Sequence, residues 1–95
     1  MMDSAKLREY AELLGSEIIK NKGKSKDIDF LEAYQPLRSA LEDAKAGRIF
    51  EPRDLGGLMR WQQESDIQNF DKLAERLAQF EILLWGWKLP SEGGP

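Results

Sequence analysis

Apolar residues recur along this chain at spacings of three and four, the period of a helix with one buried face. Leu7, Tyr10, Ala11, Leu14 and Ile18 form the first such stripe, broadened by Leu13 and Ile19. It predicts a helix from Ser4 to about Asn21, capped by Asp3 or Ser4 and ended near Gly23. Leu31, Tyr34, Leu37, Leu41 and Ala44 form the second stripe, over about Ile28 to Ala46. Asp29 with Glu32 has capping-box spacing there, and Asp27 is the rival cap. Pro36 falls inside this stripe, where it removes a helical hydrogen bond and crowds the preceding turn, so the helix is expected to kink or to split into 28–35 and 36–46.

Gly47 stops the second helix, and Arg48 to Glu51 read as a short connection. Pro52 suits the first position of a third helix running to Gln62 or Gln63, with Leu55, Leu58, Met59 and Trp61 inward. Gly56-Gly57 sits awkwardly there, which implies either a close helix approach or a short, irregular helix. Ser65 or Asp66 caps the fourth helix, Asp66 to Trp87, whose stripe is Ile67, Phe70, Leu73, Ala74, Leu77, Phe80, Leu84 and Trp87. Gly86 and Pro90 end it, and Ser91 to Pro95 read as a loose tail.

No window alternates apolar and polar for long, and the chain has neither valine nor threonine. The expected fold is therefore all-α: a single domain of four helices over residues 1–90, arranged as a bundle or a compact orthogonal array, with the second helix kinked at Pro36 and a tail at 91–95. Phe80 to Trp87 is apolar on nearly every side of a helix, more than one core-facing stripe needs. That surplus must be covered by other helices or by another molecule.

Composition narrows the chemistry. Among 95 residues there is no cysteine and no histidine. Disulfides, thiolate metal sites and the commonest general acid/base are thereby removed, and the expectation is a protein that is not an enzyme and uses no cofactor or metal. Charged residues make up 33% of the chain, and the net charge of −3 argues against nucleic acid as the main partner. No apolar run reaches the length of a membrane span, and Met1 to Lys6 lack the apolar centre of a secretory signal, so a cytoplasmic location is expected.

Arg60, Trp61, Trp85 and Trp87 are the candidate anchors for a partner protein, because tryptophan and arginine dominate interface energetics. Glu64, Asp66, Asp71 and Glu75 would form an acidic rim that speeds encounter with a basic partner. Trp85 and Trp87, two helical steps apart, cannot both face one narrow core. Lys20, Lys22, Lys24 and Lys26 surround Gly23 and form a possible anion site, although no aromatic residue interleaves them for base stacking. They contribute to an uneven division of charge: residues 1–26 carry six basic and four acidic groups, residues 27–95 eight and thirteen. Carboxylate pairs such as Asp27 with Asp29 read as caps and solvated faces rather than metal ligands. A helix-turn-helix drawn over 52–63 and 66–79 would point acids at phosphates and is set aside.

The expected function is non-catalytic protein binding: a small acidic inhibitor, an immunity-like factor or an adaptor that occludes a partner. The alternatives are a homodimer joined through the fourth helix and an anion or nucleic-acid binder using the Lys20–Lys26 loop.

Overall fold

The computed structural model describes residues 3–87 and 89. Among these the secondary structure is helical throughout, in five α-helices and one 3₁₀ turn rather than four helices. Helix α1 spans Ser4–Lys20, and the Asp3 carboxylate caps it by accepting from the Lys6 N–H at 3.0 Å. Leu7, Ala11, Leu14 and Ile18 are buried along one face, as the spacing implies. Ile19 is not part of that face: it is 72% exposed.

The second stripe belongs to two helices, α2 (Lys26–Ala33) and α3 (Gln35–Lys45), so the chain splits before Pro36 instead of kinking. Tyr34 takes an extended conformation between them (φ −69°, ψ 110°), which ends α2 and starts α3. Pro36 then sits in the first turn of α3, where a missing N–H costs no hydrogen bond. The cap of α2 is Ser25, whose hydroxyl accepts from the Ile28 N–H; neither Asp27 nor Asp29 serves. Asp27 accepts from the Asp66 N–H at 2.9 Å, and Asp29 from the Gly23 N–H at 3.2 Å.

The third predicted helix starts six residues late. Residues 52–57 form no helix, and α4 is the short stretch Leu58–Glu64. Pro52 therefore begins nothing. Asp54 accepts from the Gly56 N–H at 3.0 Å in a local turn, and Gly56 has φ +61°, a conformation that side-chain-bearing residues avoid. Residues 46–57 instead form a strap. Ile49 and Leu55 drop into the core, the Arg53 N–H donates to the Leu84 carbonyl at 2.9 Å, and Arg48 and Arg53 both hold Asp43 at 3.0 Å.

The fourth predicted helix opens as a 3₁₀ turn, Asp66–Asn69, capped by Ser65, before α5 runs over Asp71–Leu84. It stops short of Trp87, because Gly86 (φ +83°) turns the chain away. Helix α1 is the hub of the packing, lying against both α5 and α3. One hydrophobic cluster draws on all five helices, the 3₁₀ turn, the strap and Leu89, with Phe80 its largest fully buried side chain. The surplus apolar surface of α5 is thus largely covered by the chain itself: Phe80, Leu83 and Leu84 are buried and Ile82 is packed against the cluster. The predicted tail, Ser91 to Pro95, and the stop signal Pro90 lie outside the described residues. No helix among the described residues is long and apolar enough to cross a membrane.

Candidate functional site

Three aromatic rings meet on the surface where α2, the strap and α4 converge. Phe30 stacks on Tyr34 with ring centroids 5.7 Å apart and lies 4.8 Å from Trp61. The first two rings are four residues apart across the end of α2, and the third comes from the middle of α4. Tyr34 is anchored by its hydroxyl, which donates to the Leu55 carbonyl at 2.7 Å. The anchor needs Gly56, since a Cβ there would stand 3.2 Å from the Tyr34 oxygen.

The rings line a shallow pocket of about 240 Å³ with Gly56, Gly57 and Leu58. Its lining side chains carry two polar groups, the engaged Tyr34 hydroxyl and the Trp61 indole N–H, and are otherwise apolar. Phe30 is 47% exposed and neighbouring Met59 37%, while Trp61 and Tyr34 are half-buried. Two hydrogen bonds brace the site from behind. The Ser25 hydroxyl donates to Asp66 at 2.9 Å, and the Asp66 N–H donates to Asp27. They tie the start of α2 to the 3₁₀ turn that follows α4. The pocket is therefore preformed, which lowers the ordering cost of binding.

The sequence-predicted residues are scattered over this framework. Arg60, Trp61 and Glu64 lie together on α4, with Arg60 and Glu64 in an exposed i,i+4 ion pair at 3.8 Å. Asp66 belongs to the brace. Asp71 and Glu75 stand exposed on the first turns of α5, where Glu75 pairs with Lys72 at 3.7 Å. Trp85 and Trp87 lie at the far end of α5 and touch each other edge to face at 5.5 Å. Their helical separation does not apply, because the helix has ended and the Trp87 N–H folds back to the Ile82 carbonyl. Trp87 is 65% exposed and Trp85 is half-buried.

Of the four loop lysines, Lys20 approaches Glu17 at 4.0 Å and Lys22 pairs with Glu32 at 3.4 Å. Lys24 and Lys26 are exposed. Among the described residues no cluster of three or more carboxylates is placed to hold a metal ion.

Phe30 and Tyr34 complete the aromatic face, and the sequence did not single them out. Tyr34 falls on an apolar stripe and reads as core. Phe30 lies off every stripe, and that is the available signal: a large apolar residue where the pattern calls for a polar one.

One buried group stands apart. Glu81 is 3% exposed within α5, and its Oε1 has no hydrogen-bond partner. Burial, reinforced by the nearby negative charge of Asp54, pushes its carboxyl up to about 7. Asp43 moves the other way, held below the ordinary aspartate value by hydrogen bonds from Arg48 and Arg53.

No protein family matches this chain, and neither does any curated protein or solved structure. What the protein does must therefore be read from its own side chains.

Proposed function

We propose that this protein is a non-catalytic binding module that docks a partner protein on the Phe30–Tyr34–Trp61 face. The observation that carries this reading is the exposed aromatic cluster around a preformed apolar pocket. Tryptophan, tyrosine, phenylalanine, methionine and arginine are the residues enriched in protein interfaces. Here Phe30, Tyr34 and Trp61 meet, and Met59 and Arg60 lie on the same short helix as Trp61. An apolar side chain of the partner fills the pocket, and the exposed Arg60 and Glu64 on the same helix as Trp61 are available to its polar groups. Occlusion of the partner's surface is the mode of action, as an inhibitor, an immunity-like factor or an adaptor would use it.

The test is affinity capture from a lysate of the source organism with the wild-type chain and two variants. Phe30→Ala and Trp61→Ala should each lose the stoichiometric partner, with Phe30→Ala unfolding at nearly the wild-type temperature. Retention of the same partner by both folded variants would remove the aromatic face from the reading. The homodimer alternative gains no support from α5, whose stripe of Leu73, Leu77, Phe80 and Leu84 is occupied by the protein's own core.

A further inference from the structure

A second, larger concavity lies apart from the aromatic pocket. It is an open groove of about 510 Å³ between the second half of α1 and the α2–α3 pair. The two share no lining residue. Half-buried Leu41 gives the groove its accessible apolar floor, over the fully covered Ile18, Leu31 and Leu37, and Ile19 stands on its lip, 72% exposed. A shallower continuation runs past Gly15 toward Glu12. From Glu12 to Lys20, where the helix ends, the α1 wall is about 12 Å long at 1.5 Å per residue, just over two turns of a docked helix.

Gly15 is the unexplained residue in this wall. It lies inside a 17-residue helix, where glycine is less stable than alanine. Its backbone is not in the left-handed region, so no turn requires it. A Cβ at that position would meet only the flexible end of Lys45, whose Nζ would lie 3.3 Å away and can swing aside. Nothing within the fold uses the bare backbone. Glycine on a groove wall does permit a partner to approach closely.

The charges around the groove choose the partner's chemistry. Lys22 and Glu32 neutralise each other across one end. Arg38 and Lys45 have no carboxylate within ion-pair distance among the described residues, and Glu42 is the one unpaired acid in the lining. The groove lining, with Lys22, Arg38 and Lys45 against Glu32 and Glu42, thus carries one positive charge more than it has negative ones, and Glu12 at its continuation is held by Arg8 at 3.6 Å, in a protein whose net charge is −3.

We propose that this groove is a second docking site, which takes an amphipathic helix of a partner protein whose apolar stripe is flanked by acidic residues. The apolar stripe lies on Ile19 and Leu41, its backbone comes close at Gly15, and its carboxylates meet Arg38 and Lys45. Such helix-in-groove recognition needs anchors only along one face of the incoming helix. With the aromatic face separately available, the chain can hold two partners at once, as an adaptor does.

The probe is a fluorescein-labelled helical peptide with leucines at every third and fourth position and glutamates beside them. Its twin carries lysines in place of the glutamates. The acidic peptide should move the amide resonances of Gly15, Ile19, Leu41 and Lys45. The basic twin, and the acidic peptide on an Arg38→Glu/Lys45→Glu variant, should bind at least about tenfold more weakly. Gly15→Ala should raise the unfolding temperature yet weaken binding. Trp61→Ala should leave binding of this peptide unchanged, which separates the groove from the aromatic face. Equal binding of the two twins, shifts confined to Phe30 and Trp61, or no binding by either peptide would overturn the proposal. So would full affinity in the Gly15→Ala variant.

Discussion

Glu81 carries the strongest single-residue consequence in this molecule. Its carboxyl is buried, its Oε1 has no hydrogen-bond partner and the charge of Asp54 is nearby, so ionising it inside the fold is costly. The folded value is raised from 4.5 to about 7, and the sign of the effect follows. Between those values the folded chain keeps the proton and the unfolded chain gives it up. Stability from this group is present below the unfolded value and is lost as pH rises through the folded one. The full loss is on the order of 3 kcal/mol, a large share of what a small domain has. Urea unfolding of the wild type should give a lower midpoint at about pH 8 than at about pH 5, and Glu81→Gln should remove most of that slope. A wild type whose midpoint is unchanged across that range would show that Glu81 finds a partner when ionised. Asp43 acts in the opposite sense and at lower pH: its hydrogen bonds from the two arginines are lost as pH falls through its depressed value.

At the scale of elements, the strap over 46–57 decides how the helices are held together. It joins α3 to α4, reaches α5 through the Arg53–Leu84 hydrogen bond, and accepts the Tyr34 hydroxyl at Leu55. Gly56 is the pivot, with φ +61° and the Tyr34 oxygen close by, whereas nothing stands within 4 Å of a Cβ at Gly57. Gly56→Ala should therefore cost about 1–2 kcal/mol and Gly57→Ala distinctly less, a contrast that thermal unfolding of the pair measures directly. The start of α2 makes a second element-scale prediction. Ser25 both caps that helix and donates to Asp66. Ser25→Ala should cost about 1–2 kcal/mol, at the upper end for an N-cap, because it also loosens the brace behind the aromatic face. Asp66→Ala in the Ser25→Ala background should then cost less than it does alone.

At the scale of the whole molecule, the surface divides into an aromatic face, a groove with unpaired cations and a projecting Trp87. The first two share α2 and no lining residue, so changes in one should leave the other intact. Trp87 is exposed beyond the end of α5, and its removal should change stability by less than about 0.5 kcal/mol. Light scattering at micromolar concentration should give the mass of one chain, since α5 spends its apolar stripe on the core. A doubled mass that Trp87→Ala returned to the single value would make Trp87 the centre of a homodimer.

Helical periodicity and residue chemistry determined a good deal of this without any tertiary information. The stripes of α1 and α5, the Asp3 cap, the break near Pro36 and the all-α class follow from local rules: which faces repeat at three and four, which side chains satisfy end groups, and where proline cannot donate. Trp61 was legible as a candidate anchor because of its type, and the fold places its ring against Phe30. Other features depended on contacts between residues far apart in the chain. Pro52 and the leucines after it carry a plausible helical signal, yet that segment gains more by burying Ile49 and Leu55 and bonding to Leu84 than by coiling. Asp27 and Asp29 had cap spacing, but Ser25 could cap and pair with Asp66 together, a benefit visible only once residues 41 positions apart are adjacent. The aromatic face joins Phe30 and Tyr34 of α2 to Trp61 of α4, and the groove joins Gly15 to Lys45. The sequence names these side chains, and only the packing of helices against one another makes them neighbours.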